Sequence, residues 1–205
     1  TDTGGNLLRF DSRSPRDVRS KAITGLPSGV ALNGIDFRPA TGDLYALGSD
    51  KVVYRVNVKT AIAVAEGPAF ETAPAALNSG NNGFDFNPTV DKIRVTSDVG
   101  DNIRLNPDEG NLLSKDTSLT PASVQVVGSA YTNSSFTAFA TRPTVSELYA
   151  LDIAPTKDLL WIQRPANNGT LIMPVSLGLD LGPNAGFDIV GSDRVGNAGY
   201  APGTQ

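Results

Sequence analysis

A four-residue phrase recurs along this chain: Gly34-Ile35-Asp36-Phe37, Gly83-Phe84-Asp85-Phe86 and Gly186-Phe187-Asp188-Ile189, each of the form Gly-apolar-Asp-apolar. The first two follow an asparagine, Asn33 or Asn82, and run on through Pro39 or Pro88 toward a turn and a second apolar stretch. A phrase repeated at this spacing points to small sheet units stacked on one another, because each unit buries its faces only against its neighbours. Function then has to be read from what the repeats build.

Between the phrases the pattern is short strands and turns. With 21 Gly and 14 Pro in 205 residues and no collagen period, the composition favours many turns over helices. The nearest helical candidate, Ala61 to Ala76, is interrupted by Gly67, Pro68 and Pro74. Residues 1–6 read as a flexible lead-in. Leu7–Phe10 and Val18–Ile23 then form a strand pair around a turn at Asp11–Pro15, half of a four-stranded unit. The first full repeat predicts strands at Gly34–Phe37, Leu44–Leu47, Val52–Val56 and Ala61–Ala65. The second predicts them at Phe84–Phe86, Ile93–Val95, Ile103–Leu105 and Leu112–Leu113. Here alternation assigns Ile93, Val95, Ile103 and Leu105 to the core and Arg94 and Arg104 to the opposite face. A third repeat starts near Gly128-Ser129-Ala130-Tyr131, carries a Thr/Ser-rich insertion through Thr144, and resumes at Leu148–Asp152, Leu159–Ile162 and Leu171–Val175. The fourth starts at Gly186 and extends only to Ala198-Gly199-Tyr200-Ala201. The expected fold is all-β: a propeller-like array of four-stranded antiparallel repeats in one domain over residues 7–205. Its last blade is shared between the N- and C-terminal segments, within one chain or between chains.

Several chemistries are closed to this chain. It has no cysteine and no histidine, which removes disulfides, Ser-His-Asp and Cys-His machinery, and the usual zinc and haem ligands. Net charge is −4 without a basic run, so no nucleic-acid footprint is expected, and no apolar run reaches membrane-spanning length. No cofactor is expected. The chain opens at Thr1 and its one methionine is Met173, which fits a processed N-terminus and a secreted, extracellular protein.

Carboxylates remain. A ring of Asp36, Asp85 and Asp188 could bind a cation or work as acid and base. Their recurrence at matched positions favours the structural role, in which each fastens its own strand-turn by accepting backbone N–H groups. Asp98-Val99-Gly100-Asp101-Asn102 has oxygen donors around a glycine but lacks EF-hand spacing, and reads as a hairpin turn. Gly80-Asn81-Asn82-Gly83 has no lysine and is no phosphate loop. Arg38, Arg94 and Arg104 could grip an anionic ligand on an outer face, but are expected on a solvated strand face with neighbouring aspartates. Trp161, Tyr149 and Tyr45 lie within strand patterns and are expected to pack in the core or between repeats. Asn133-Ser134-Ser135 and Asn168-Gly169-Thr170 fit the glycosylation acceptor pattern.

Leu8-Arg9-Phe10-Asp11-Ser12, Gly34–Gly42, Leu44–Gly48, Gly83–Asp91, Arg104-Leu105-Asn106-Pro107 and Asn167-Asn168-Gly169-Thr170-Leu171 stand in the order and spacing of a known set. By these segments the chain resembles the bacterial family called domain of unknown function 4394. The resemblance implies a secreted, propeller-like protein and brings no established activity or catalytic residues. Typical members continue past the last Gly-Phe-Asp segment with another strand pair, of the Leu-Tyr-x-Ile-Asn type, and this chain stops before it.

The function these readings favour is not enzymatic. It is a secreted structural subunit that polymerises head-to-tail with copies of itself into a filament, by strand complementation of the incomplete last blade. Leu7, Leu8, Phe10, Val18 and Ile23 are the expected donor residues, and Phe187, Ile189 and Tyr200 the acceptor blade. The alternatives are a closed monomer binding a ligand or protein through the loop face at Thr132–Thr144, and a hydrolase or lyase built on the three aspartates.

Overall fold

A computed structural model describes residues 1–70, 75–135, 142–153 and 158–191. Among the described residues fourteen strands make four antiparallel sheets, each running in chain order. A hairpin pairs β1 (Asn6–Asp11) with β2 (Ser14–Ala22). The first four-stranded sheet holds β3 (Leu32–Phe37), β4 (Leu44–Gly48), β5 (Val53–Val56) and β6 (Ala63–Ala65). The second holds β7 (Asn82–Asn87), β8 (Lys92–Ser97), β9 (Asn102–Leu105) and β10 (Leu112–Lys115). The third holds β11 (Val126–Tyr131), β12 (Leu148–Asp152), β13 (Leu159–Gln163) and β14 (Leu171–Ser176). The only helical element among the described residues is a 3-10 turn at Ala166–Asn168, and no helix there is long and apolar enough to cross a membrane. Among these residues no sheet closes on itself.

Turn chemistry sets the strand lengths. Between β7 and β8 the Asn87 side chain accepts the backbone N–H of Thr89 at 2.9 Å, and Asp91 takes φ +55°. Gly100, at φ +88°, turns β8 into β9, and both carboxylate oxygens of Asp101 are engaged by Asn78, with Ser97 on one of them. This confirms a hairpin turn there. The expected strand Ala61–Ala65 shortens to β6 because Ala61 sits at φ +58°, and Ile62 bridges to Thr24.

The sheets stack face to face, so β4 is buried along its whole length. Tyr45, Leu47 and Val53 point to the second sheet and meet Phe84, Phe86, Ile93 and Val95. Leu44, Ala46, Tyr54 and Val56 point the other way and pack with Leu7, Ile23 and Leu26 at the root of the hairpin. Burial on both faces explains why Leu44-Tyr45-Ala46-Leu47 is unbroken by a charged residue.

It also overturns the expectation for the arginines. Arg94 is 2% exposed and Arg38 is buried too, because in stacked sheets the face opposite the core is the next interface. Arg38 forks onto Asp91 (2.9 and 2.7 Å) and also reaches Asp108. Arg94 and Arg104 share Asp116, at 2.7 and 2.8 Å, with Arg104 partly exposed. Tyr45 meets Phe86 edge-on between sheets, and Trp161 packs on the third sheet's core while its Nε1–H donates to Asp152, which bears out the packing role read for both.

Gly186–Ile189 was expected as the inner strand of a fourth unit. Among the described residues it pairs with no strand, and the partner stretch around Tyr200 lies outside them. The segment nonetheless runs beside β11, with Phe187 against Gly128 and Gly191 against Ser135.

Candidate functional site: a carboxylate cluster and its flanks

The recurring phrase is a joint. A Cβ built on Gly34 would lie 2.5 Å from the Cβ of Phe84, one on Gly83 would lie 2.5 Å from the Ser129 hydroxyl, and one on Gly128 would lie 2.8 Å from the Cβ of Phe187. Each phrase glycine is therefore a notch filled by the residue that follows the glycine of the next unit. No larger residue fits. A Cβ built on Gly186 would meet nothing within 4 Å beyond its chain neighbours, so among the described residues the fourth notch is empty.

Two residues beyond each glycine, the aspartate closes the joint. Asp36 accepts the backbone N–H of Phe86 at 2.8 Å, and Asp85 accepts that of Tyr131 at 2.8 Å. Asp36 also takes its own neighbour's N–H, from Phe37 at 2.6 Å. The structural role read from the sequence is right in kind but misplaced: these aspartates fasten one sheet to the next rather than their own turns. Ala130 stands at the equivalent position of the third sheet, so no such fastener reaches the fourth segment.

The geometry also gathers the three carboxylates, with one oxygen from each of Asp36, Asp85 and Asp188 all within 4.8 Å of one another. Burial, and then the negative charge of Asp188, push the Asp36 carboxyl up to about 7. Burial and then the Asp36 charge hold Asp85 well above the ordinary carboxylate range. With an oxygen of each within 4.8 Å of the other in a buried site, Asp36 and Asp85 disfavour carrying charge together. Chemically such a cluster can store a proton or offer oxygen donors to a hard cation.

One cavity, about 710 Å³, opens beside the cluster among the phrase glycines Gly34, Gly83, Gly128 and Gly186 and residues of the N-terminal lead-in. A second, about 620 Å³, lies on the loop face between Asn87, Thr132, Asn133, Thr144 and Gln163. None of the three aspartates lines either one. At the loop-face cavity the buried Gln163 donates through Nε2 to Asn102 and Ala166, while its Oε1 has no partner among the described residues. An Arg164–Glu147 ion pair lines the same cavity.

The expected donor residues divide. Leu7 and Ile23 pack against the first sheet of their own chain, so they are rooted rather than free. Leu8 is partly exposed, and Phe10 (55%) and Val18 (46%) are open. Of the acceptor set, Phe187 seats on Gly128, Ile189 is partly buried, and Tyr200 lies outside the described residues. Sequence reasoning missed Asp116, Asn167 and Gln163. Only the chance of a buried arginine needing counter-groups could have signalled them.

Fold and joints together define an all-β protein of stacked four-stranded repeats, linked by a glycine notch and an aspartate fastener. The chain belongs to the family described as Domain of unknown function (DUF4394), which it matches over residues 6–205. Among curated proteins nothing matches it.

Proposed function

We propose that this chain is a non-enzymatic, extracellular building block of propeller-like construction, which associates with copies of itself head-to-tail through its N-terminal hairpin. The observation that carries this reading is the hairpin itself. Among the described residues β1 and β2 pair only with each other, every residue of β2 is exposed, and Phe10 and Val18 show large apolar surface to solvent. A two-stranded ribbon is marginal by itself, and open strand edges are templates for another chain. Contact between two different surfaces of one chain type is heterologous and propagates. Each large apolar side chain buried on docking adds roughly 1.5–3 kcal/mol when fully covered.

Light scattering and negative-stain electron microscopy across a concentration series test this. Concentration-dependent oligomers are expected, lost in a Phe10→Asp/Val18→Asp variant whose Leu7 and Ile23 root is intact. A strict monomer at high concentration, unchanged by that variant, ends the reading.

A second reading, a ligand site on the loop face, draws on the Gln163 Oε1, which has no partner among the described residues, beside the 620 Å³ cavity. A thermal-shift screen of small neutral polyols and amides would detect it as a rise in Tm that Gln163→Leu removes.

A further inference from the structure

The three four-stranded sheets differ in the flank that each presents to the next unit of the stack. In the row that starts at the notch glycine, the first sheet has Gly34, Leu47 and Val53, and the second has Gly83, Thr96 and Asn102. All four non-glycine residues are sealed by the next sheet. The corresponding row of the third sheet is Gly128, Leu151, Leu160 and Val175. Phe187 seals only its inner end, so Leu151 is buried, Leu160 is partly open and Val175 is 61% exposed. The row beside it, Ala130, Tyr149, Ile162 and Ile172, follows the same gradient from a buried Ala130 to partly open neighbours. At the Ile162 position the other two sheets carry arginines, Arg55 and Arg104, each held by an acid, Glu66 or Asp116. The outer flank of the third sheet is therefore apolar and, among the described residues, uncovered where its counterparts are sealed or charged.

We propose that this outer flank, centred on Leu160, Ile162 and Val175, receives the β1–β2 hairpin of a second copy of the chain. The proposal rests on the self-association reading and names its acceptor. By strand alternation Leu8 and Val18 lie on the face opposite the rooted Leu7, with Phe10 at the irregularity that follows Arg9; Leu8 is partly open, and Phe10 and Val18 are exposed. Charge agrees. Residues 6–23 hold five basic and two acidic side chains, net +3, which leaves −7 on the rest of a chain that totals −4. Residues 171–191 contain Asp180 and Asp188 and no Lys or Arg. Docking is face-on. The free edge of β14 is blocked for strand addition by Pro174 and by Met173 at φ +54°, both common protections of an edge strand.

The chain has no cysteine, so single cysteines report contacts cleanly. Phe10→Cys protein is mixed with Val175→Cys protein and treated with a short bis-maleimide. Val64→Cys, on the outer strand of the first sheet, serves as the control acceptor. Covalent dimers with Val175→Cys and not with Val64→Cys are expected, and Val175→Asp should weaken association at least tenfold while Val64→Asp changes it less than twofold. Oligomers that persist but cross-link at Val64 overturn this acceptor and leave self-association standing. Cross-linking confined to a monomeric Phe10→Cys/Val175→Cys double variant means the flank is closed by its own hairpin, which overturns the second copy as occupant. No association of the unmodified chain at any concentration removes both readings.

Discussion

The first and second sheets meet through an apolar interface, the second and third through a polar one, although the same backbone joint sets both. In the first, Leu47 and Val53 are fully buried and Tyr45 lies edge-to-face on Phe86, ring centroids 5.2 Å apart. In the second, the Thr96 and Ser129 hydroxyls meet at 2.7 Å, and Arg94 is ringed by Asn102, Asp116 and Asn167 at 2.6–2.7 Å, with Gln163 donating to Asn102 from across the interface. The glycine notch and aspartate fastener fix how closely two sheets approach. The side chains between them are then free to be oily or hydrogen-bonded, provided the polar version leaves few groups unmatched. An apolar interface tolerates small shifts, whereas the polar one accepts a single registration.

The largest expected effect is at the polar side. Arg94→Ala takes one of its two guanidinium partners from Asp116 and a donor each from Asn102 and Asn167 at a buried site, and is expected to cost about 3–5 kcal/mol, the range for breaking a buried ion pair. Urea unfolding measures it, and a loss below about 1 kcal/mol would show that the Arg94 network is not what secures the third sheet. On the apolar side Phe86→Ala is expected to cost about 3–4 kcal/mol through lost burial and a residual cavity. Phe86→Leu should recover most of that, while Arg94→Lys should recover little because a lysine cannot fork onto several acceptors.

A smaller effect, of opposite sign, belongs to the carboxylate cluster. The Asp36 carboxyl, at about 7 when folded, is raised from 3.8, so the folded chain holds a proton that the unfolded chain releases. Its contribution is complete below about pH 4 and is lost as pH rises through about 7. Tm is therefore expected to fall between about pH 5 and pH 8, and Asp36→Asn to flatten that slope and to stabilise by on the order of 1–2 kcal/mol at pH 8. A variant with an unchanged slope would locate the titration elsewhere. The smallest effect sharpens the comparison most. Thr96→Val and Ser129→Ala are each expected to cost about 1 kcal/mol, and together less than their sum, because the pair removes both halves of one hydrogen bond.

Much of the strand order was legible from the residues alone. Asn87, Gly100 and Gly110 mark turns, and the strands between them fall close to where the alternation puts them. The Gly-apolar-Asp-apolar phrase does open each of the first two sheets. What it does there was not legible, since a glycine notch is recognised only by the Phe84 or Ser129 that fills it from about 50 residues away. The arginines misled for a related reason. Alternation separates two faces of a strand but cannot say that both are interior, and the acids that make Arg38 and Arg94 interior, Asp91 and Asp116, are distant in sequence. The outcome for the fourth unit is different again: its phrase seats Phe187 correctly but finds no strand partner among the described residues.

Ala130 carries a kinetic consequence. With no carboxylate there, the join between the third sheet and residues 186–191 lacks the backbone hydrogen bond that secures the other two. Native chains open locally at their least secured unit long before they unfold as a whole. In a hydrogen-exchange time course the amides of Phe86 and Tyr131, held by Asp36 and Asp85, should therefore exchange only with global unfolding. Those of Phe187 and Ile189 should exchange early and independently of denaturant, marking the place where this stack comes apart without melting.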